Sequence, residues 1–282
     1  MSIGNADQKA FWETFATLWV GKQEDLDALM APVLAGVLDR AALKPEQRVL
    51  DIGCGTGTSS VLAAHAVGAD GHVTGADISE PMLARARATT GDIAQLSFET
   101  TDVAEHSFAP GSYDQVISRF GVMFFADPVA AFSNVLKAMR PGAQLTMACW
   151  SHLDKNPWFQ VPMYAAKSQL GAPPPVDPDA PGPLAFRNTA KVVRILEQSG
   201  FQTISAETET LLLTPIGDMN RVAAHAASIG PAARAIEYFD ATAADFDTIV
   251  ARVAAGFADF ETPNGVRVPA AINFFTATAP NC

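Results

Sequence analysis

Val49-Leu50-Asp51-Ile52-Gly53-Cys54-Gly55-Thr56-Gly57 decides how this chain folds. Val49, Leu50 and Ile52 read as the end of a buried parallel strand, and a helical run follows from Thr58 to Ala66. The alternating glycines between them let the backbone pass close to a ligand with no Cβ in the way. A dinucleotide site would place a further glycine three residues after Gly55, but Thr58 stands there and the pattern G-x-G-x-x-G fails. The string reads D-x-G-x-G-x-G instead, with the acid Asp51 on the strand.

Downstream, His72-Val73-Thr74-Gly75-Ala76-Asp77-Ile78 reads as the next parallel strand, ending in an acid twenty residues after Gly57. A carboxylate at that distance reaches the ribose hydroxyls of an adenosine ligand. Ser79 and Pro81 open a helix, as N-cap and first-turn residue. Leu96 to Thr100 is a third strand, followed by Thr101-Asp102-Val103, and Tyr113 to Phe120 is a fourth, central one. Met139-Arg140-Pro141-Gly142-Ala143 breaks a helix before a fifth strand from Gln144 to Trp150. Strand and helix thus alternate from 46 to 150, which calls for a parallel sheet covered on both faces.

In order and spacing these five elements resemble the class I S-adenosylmethionine-dependent methyltransferases, closely from Pro45 to Trp150 and in outline elsewhere. The nearest branch is the small-molecule one that includes the ubiquinone and menaquinone C-methyltransferases. The resemblance implies an α/β, Rossmann-like, doubly wound and mostly parallel seven-stranded sheet with helical cap and lid insertions. It implies S-adenosyl-L-methionine as cofactor, held by Asp51, Gly53, Cys54, Gly55, Thr56, Gly57, Asp77, Ile78, Met82, Asp102, Val103, Ser118 and Phe120. In that family the acid at Asp102 accepts from the adenine amino group, and the backbone of the next residue binds the ring. The end of the Tyr113 to Phe120 strand lies beside the methyl group. Taken singly, the glycines suit an ordinary tight turn, and Asp77 or Asp102 a helix cap. Turns and caps do not set their mutual spacing.

Residues 6 to 43 read as helical, with Phe11, Phe15, Leu18 and Trp19, then Leu26, Leu29, Met30, Val33, Leu34 and Val37 at helical spacing. The resemblance makes residues 1–44 a cap over the cofactor. The core is expected over 45–213 and 263–282, with a proline-rich lid segment at 151–187 and a helical lid at 214–262. Prolines between Ala172 and Pro183 rule out a helix or central strand there. Thr189 to Ser199 reads as a helix ended by Gly200, and Phe201 to Leu213 as a strand or strand pair. Asp218 to Phe260 is Ala-rich and helical, interrupted at Gly230-Pro231, and Val266 to Ala279 is the final strand.

With 282 residues, 49% of them hydrophobic, the chain can bury a substantial core. A net charge of −11 without any basic run argues against a nucleic-acid substrate. Cys54, Cys149 and Cys282 form no Cys-x-x-Cys pair, which points to a reducing compartment, no disulfide framework and no metal site. No signal peptide is read in Met1 to Lys9, and the apolar run Met30 to Leu38 is too short to span a bilayer. The expectation is a cytoplasmic protein with a small-molecule partner, without nucleic acid or membrane, and dimeric only by analogy with other exposed lids of this fold.

Methyl transfer from a sulfonium is an in-line displacement that needs a nucleophile about 3 Å from the methyl carbon. Holding both reactants in line and excluding water is the main task, so no dedicated side chain is required. A hydroxyl acceptor would be helped by a base. Among His65, His72, His106, His152 and His225, the first candidate is His152, just beyond the fifth strand, and the second is His225 in the lid. Trp19, Met123, Trp150, Trp158 and His225 are the expected lining of an apolar acceptor pocket suited to O- or C-methylation of an aromatic or apolar molecule. Asn156-Pro157-Trp158 looks like the Asn-Pro-Pro-Tyr motif of amide and nucleobase N-methyltransferases, but it lacks the second proline and follows the wrong strand. The alternative reading is a protein that binds S-adenosylmethionine or S-adenosylhomocysteine in a regulatory or assembly role without transferring a methyl group. A nicotinamide-dependent oxidoreductase is disfavoured by Thr58.

Overall fold

The computed structural model describes Trp12, Ala16 and residues 19–281, so Phe11, Phe15, Leu18 and Cys282 among the residues named above lie outside the described residues. The strands are β1 (Arg48–Ile52), β2 (His72–Asp77), β3 (Leu96–Thr100), β4 (Tyr113–Arg119), β5 (Met139–Trp150), β6 (Gln202–Leu213), β7 (Glu261–Thr262), β8 (Gly265–Val266) and β9 (Val268–Thr278). Seven of them form one sheet in the order β3-β2-β1-β4-β5-β9-β6, and β7 and β8 form a separate small hairpin. Pairing is parallel from β3 through β5, while β9 runs antiparallel to both β5 and β6. This is the mostly parallel seven-stranded sheet expected from the sequence. Its order reverses between β2-β1 and β1-β4, and such a switch opens a crevice at the carboxyl ends of the strands.

Central strands are apolar on both faces. Val49, Leu50 and Ile52 of β1 are buried, as are Val116 and Ile117 of β4 and nearly all of β9. The outermost strand β6 instead alternates exposed and half-buried residues, as an edge strand facing water on one side should.

Helix α1 (Gln23–Ala41) buries Leu26, Leu29, Met30, Val33, Leu34, Val37 and Ala41, the apolar stripe read from the sequence. The expected helix over 6–43 is interrupted, because Lys22 takes a turn conformation that separates residues 19–21 from α1. Gly36 brings α1 onto the sheet, since a Cβ there would lie 2.6 Å from the Phe274 ring. One turn on, the Arg40 guanidinium sits 3.9 Å from the centre of that ring and bonds Glu209 at 2.8 Å. At the other end of β6, Thr214 Oγ1 donates to Ala28 O. The cap helix is therefore fixed to the far side of the sheet before it reaches the glycine loop.

Helices α2 (Thr58–Val67), α3 (Glu80–Thr90) and α4 (Pro128–Ala138) follow β1, β2 and β4. Asp127 caps α4 by accepting from Ala130 N–H at 3.0 Å. Ser79 holds the N-cap position of α3, but its hydroxyl makes no capping bond and is buried without a partner among the described residues. After β5 come α5 (Pro157–Leu170) and α6 (Thr189–Gln198). The proline-rich stretch between them is irregular and pinned, through Gly182 N–H to Met123 O at 3.1 Å and Arg234 Nη2 to Pro174 O at 2.6 Å. The helical stretch over 218–260, expected with one interruption at Gly230-Pro231, is three helices, α7 (Met219–Ala227), α8 (Gly230–Tyr238) and α9 (Ala243–Gly256). The second break, at Thr242, is a reciprocal capping box with Asp245. The final strand starts two residues later than expected, because Val266 belongs to the β7–β8 hairpin. Among the described residues no helix is long and apolar enough to cross a membrane.

At the switch point the ends of β1 and β4 touch through two glycines. A Cβ on Gly53 would lie 2.6 Å from Gly121 Cα, and a Cβ on Gly121 would lie 2.5 Å from Ile52 O. Gly53 also has φ +65°. Gly53→Ala and Gly121→Ala are each expected to destabilise the fold by about 2 kcal/mol or more, from overpacking against backbone. Urea unfolding of both variants measures it, and a loss under about 0.5 kcal/mol, the scale of an ordinary surface substitution, would contradict this close approach.

Candidate functional site

The loop after β1 is built by its neighbours. Gly53 N–H and Cys54 N–H both donate to Ala76 O, at 2.8 and 3.2 Å, and Gly55 N–H donates to Asp77 Oδ2 at 2.8 Å. Gly57 has φ +90°, and a Cβ there would meet the Phe98 ring at 2.8 Å. Gly55 is different. It has φ +56°, and the atom nearest its missing Cβ is Met82 Sδ at 3.7 Å. Gly53 and Gly57 are thus glycines for packing, whereas Gly55 keeps open the concave side of the loop.

Asp77 accepts from Gly55 N–H and, through Oδ1, from Ser79 N–H at 2.9 Å. Burial raises its pKa, and those backbone bonds oppose the rise. Each oxygen keeps lone-pair capacity for a further donor, such as a ribose hydroxyl. Asp51 is fully buried at the end of β1. Its Oδ2 accepts from Ser59 Oγ and Ser60 Oγ, both at 2.6 Å, while Oδ1 has no donor among the described residues. Burial pushes this carboxyl up too, opposed by the serines and by the Arg119 charge. The Cys54 thiol is driven well above its usual range by burial and by the charges of Asp51 and Asp77, so it is inert. Thr56 lines a cavity of about 430 Å³ together with Gln23, Thr58, Val61, Leu62 and His65. Ile78 is half-buried beside Asp77, and Met82 is buried against the loop.

Asp102 turns the chain after β3, with Oδ1 accepting from Ala104 N–H at 2.9 Å. This is a local turn that leads into no helix, so the helix-cap role considered for this acid is not the one it plays. Asn134 Nδ2 donates to Val103 O and His106 O, tying this turn to α4. Ser118 Oγ donates to Ile52 O at 2.8 Å and accepts from Gly121 N–H, so its hydroxyl holds β4 to β1. Phe120 has φ +68°, a conformation rare and strained for an aromatic residue. Its ring stacks on Trp150 at 4.9 Å and 5°, and Trp150 meets the edge of Phe159 at 4.7 Å. Met123 is buried, and Trp19 meets Trp12, which in turn packs on Phe124 at 4.9 Å.

Two of the expected acceptor-pocket residues meet one another. The Trp158 and His225 rings lie 5.7 Å apart at 84°, with Phe257 stacked on the indole. Trp158 Nε1 and His225 Nε2 are both buried without a partner among the described residues. Each is a buried polar atom that a bound ligand's polar group would satisfy. Burial, with the nearby Lys22 and Arg221 charges, pushes the imidazole down to about 4 against the pull of Asp25, so it is neutral at pH 7. His152 stands apart, with its side chain exposed beyond β5. Asn156 is spent on the fold: its side chain donates to His152 O and Ala271 O and accepts from Ala271 N–H. The resemblance of Asn156-Pro157-Trp158 to an N-methyltransferase motif therefore has no counterpart in the site.

Arg119, near the end of the fourth strand, and Asp27, on α1, are residues to which the sequence pattern assigns no role. Asp27 Oδ2 accepts from Thr58 Oγ1 at 2.6 Å, and its Oδ1 lies 3.4 Å from Arg119 Nη2. Thr58, the residue that breaks the dinucleotide pattern, is thus where the cap helix is attached to the loop. The available signal was a charged residue inside each apolar run, Asp27 beside Leu26 and Arg119 between Ile117 and Phe120.

Residues 49–142, from the glycine loop to the start of β5, match the sequence family described as "Methyltransferase domain". That stretch resembles a methyltransferase domain. The demethylmenaquinone methyltransferase of Listeria monocytogenes serotype 4a is 33% identical over 115 residues, which is 40% of this chain and 48% of that protein. That of Beutenbergia cavernae is 37% identical over 122 residues, 43% of this chain and 47% of that protein. The chain thus spans about half the length of the curated relatives it matches. Among solved structures, Haemonchus contortus phosphoethanolamine N-methyltransferase 2 superposes on this chain with a TM-score of 0.53 and 22% identity. The match covers 88% of this chain and 52% of that one, which shows a common fold.

Protonation of His225 makes a testable link to stability. Unfolded, the imidazole takes its proton near 6.5; folded, only at about 4. Between those values the unfolded chain binds more protons, so stability falls as the pH drops. The expected loss from this group is about 3 kcal/mol. Asp51 and Asp77, whose pKa values are raised, act in the opposite sense but are common to wild type and variant. Urea unfolding from pH 7 to 4.5 should therefore show a steeper acid decline for wild type than for His225→Gln. Parallel declines would contradict the neutral buried imidazole.

Proposed function

We propose that this chain is an S-adenosylmethionine-dependent methyltransferase acting on a small aromatic or apolar acceptor, by O- or C-methylation. The observation that carries the reading is the open concave side at Gly55, flanked by Asp77 and ending at the Phe120–Trp150 stack. The glycine loop accommodates a close-lying ligand, Asp77 offers acceptors to ribose hydroxyls, and Asp102 with Val103 offers an edge to adenine. The sulfonium supplies an activated methyl group and its own good leaving group. The curated relatives named above act on a demethylated menaquinone, and the neighbouring structure was obtained with S-adenosylhomocysteine, both of which suit this assignment.

The protein's contribution is placement and dryness. The core over 45–213 and 263–282 would hold the cofactor, while the cap at 1–44 and the lid at 214–262 close over it. Phe120, Trp150 and Phe159 form a continuous aromatic wall from the end of β4 into α5, against which a planar acceptor can lie. Burial favours His225 over the exposed His152 as the residue that takes a hydrogen bond, and then the proton, from an acceptor hydroxyl. A low pKa keeps that nitrogen free from about pH 5 upward, at the cost of intrinsic basicity.

Transfer of labelled methyl from S-adenosylmethionine to a panel of quinols, phenols and amines tests the reading. Turnover is expected on a quinol or phenol. His225→Gln should lower kcat by about tenfold or more with unchanged S-adenosylhomocysteine affinity, and His152→Ala should leave kcat within about twofold. No methylation of any hydroxylated or quinone-type acceptor, with methylation of amines alone, would contradict the acceptor class.

A further inference from the structure

Where the cap meets the lid, the fold gathers hydrogen-bond donors and leaves them short of acceptors. Lys22 turns the chain into α1, and its half-buried ammonium donates to Ser228 Oγ, just after α7. That hydroxyl gives its own proton to His225 O at 2.8 Å, so the ammonium is held by a neutral group. The chain has 30 acidic residues, yet none among the described residues forms an ion pair with Lys22. Asp25, the acid whose charge acts on it, is bonded instead by Arg221 Nη2 at 2.6 Å. Burial lowers the Lys22 pKa against the pull of that acid. The lysine charge also reaches His225, whose Nε2 is buried without a partner among the described residues. Beside that imidazole, Trp158 Nε1, which can only donate, is equally unpaired.

We propose that Lys22 Nζ receives a carboxylate carried by the methyl acceptor, so that the acceptor is a phenol or quinol that also bears an acid group. This rests on the methyltransferase reading above and narrows its acceptor class. Ser228 lies two residues before Gly230, whose φ of +66° folds the turn onto α5, where an added Cβ would lie 2.8 Å from the Phe159 ring. Phe159 meets Trp150, and Trp150 stacks on Phe120. The ammonium therefore stands at the outer end of the aromatic wall, with Phe120 at the inner end beside β4. A flat acceptor along that wall presents its ring to the aromatics and its charge to Lys22. The donors select the ligand. An ammonium group would meet a like charge and further donors. A phosphate dianion calls for a second cation, and Arg221 is committed to Asp25. A neutral ring leaves the desolvated ammonium uncompensated. One carboxylate matches one ammonium. Lys22 thus binds and selects the acceptor, and the hydroxyl is left to His225.

Calorimetric titration in the presence of S-adenosylhomocysteine, with the monohydroxybenzoates and their carboxamides as probes, isolates the charge. Wild type is expected to bind at least one acid roughly ten- to hundredfold tighter than its amide, the range of a charge-assisted hydrogen bond. Lys22→Met should bring acid and amide to within about threefold, with S-adenosylhomocysteine affinity changed by less than about twofold. Lys22→Arg, which keeps the charge, should retain a preference. Wild type that binds no acid, or none better than its amide, overturns this assignment, as does a Lys22→Met protein that keeps the preference. Each of those results leaves the cofactor reading standing provided S-adenosylhomocysteine binds. Absence of S-adenosylhomocysteine binding overturns both. Should Lys22→Met fail to fold, the wild-type comparison together with Lys22→Arg decides.

Discussion

Everything at the site depends on how closely the ends of β1 and β4 approach. Gly53 and Gly121 meet backbone to backbone, and the absence of two methyl groups lets Ser118 Oγ reach Ile52 O across the gap. With that contact made, the chain leaving β1 must arc away in positive φ, and the arc hands Gly55 N–H to Asp77 at the end of β2. Three strand ends are thereby fixed relative to one another. The crevice is a consequence of strand order, and the two glycines set its depth.

The same region shows where stability is given up for binding. Asp51 Oδ1, Arg119 Nη1, Trp158 Nε1 and His225 Nε2 are buried without partners among the described residues, as are Ser79 Oγ and Gln115 Oε1, whereas the side chains of Asn156 and Asn273 are fully engaged. Four of these atoms fall in two places, at the ends of β1 and β4 and between α5 and α7. The strained φ of Phe120 sits between the two clusters, where a cofactor and an acceptor would meet.

The order of elements from β1 to β4 could be read from the sequence because β1, β2 and β4 are short strands with buried apolar residues, whereas β5 starts at Met139, five residues before the expected Gln144. The spacing from Gly57 to Asp77 and on to Asp102 is a property of chain order alone. The cap and lid were less readable for a physical reason. An amphipathic stripe such as Leu26 to Val37 predicts that a helix packs, but not that Asp27 on it grips Thr58 and Arg119. Continuous helical periodicity also hid the turn at Lys22, and an Ala-rich composition hid the capping box at Thr242 that divides the lid. Histidines illustrate the limit best. His152 stands nearer in sequence to the strand end, but burial, which only tertiary packing decides, distinguishes His225.

The most direct test of the central claim is a calorimetric titration of wild type and Asp77→Asn with S-adenosylhomocysteine and with a nicotinamide dinucleotide. One site for S-adenosylhomocysteine, weakened at least about tenfold by Asp77→Asn, and no dinucleotide binding is the predicted result. Binding of the dinucleotide alone, or S-adenosylhomocysteine affinity indifferent to Asp77, would contradict the placement of the cofactor on the glycine loop.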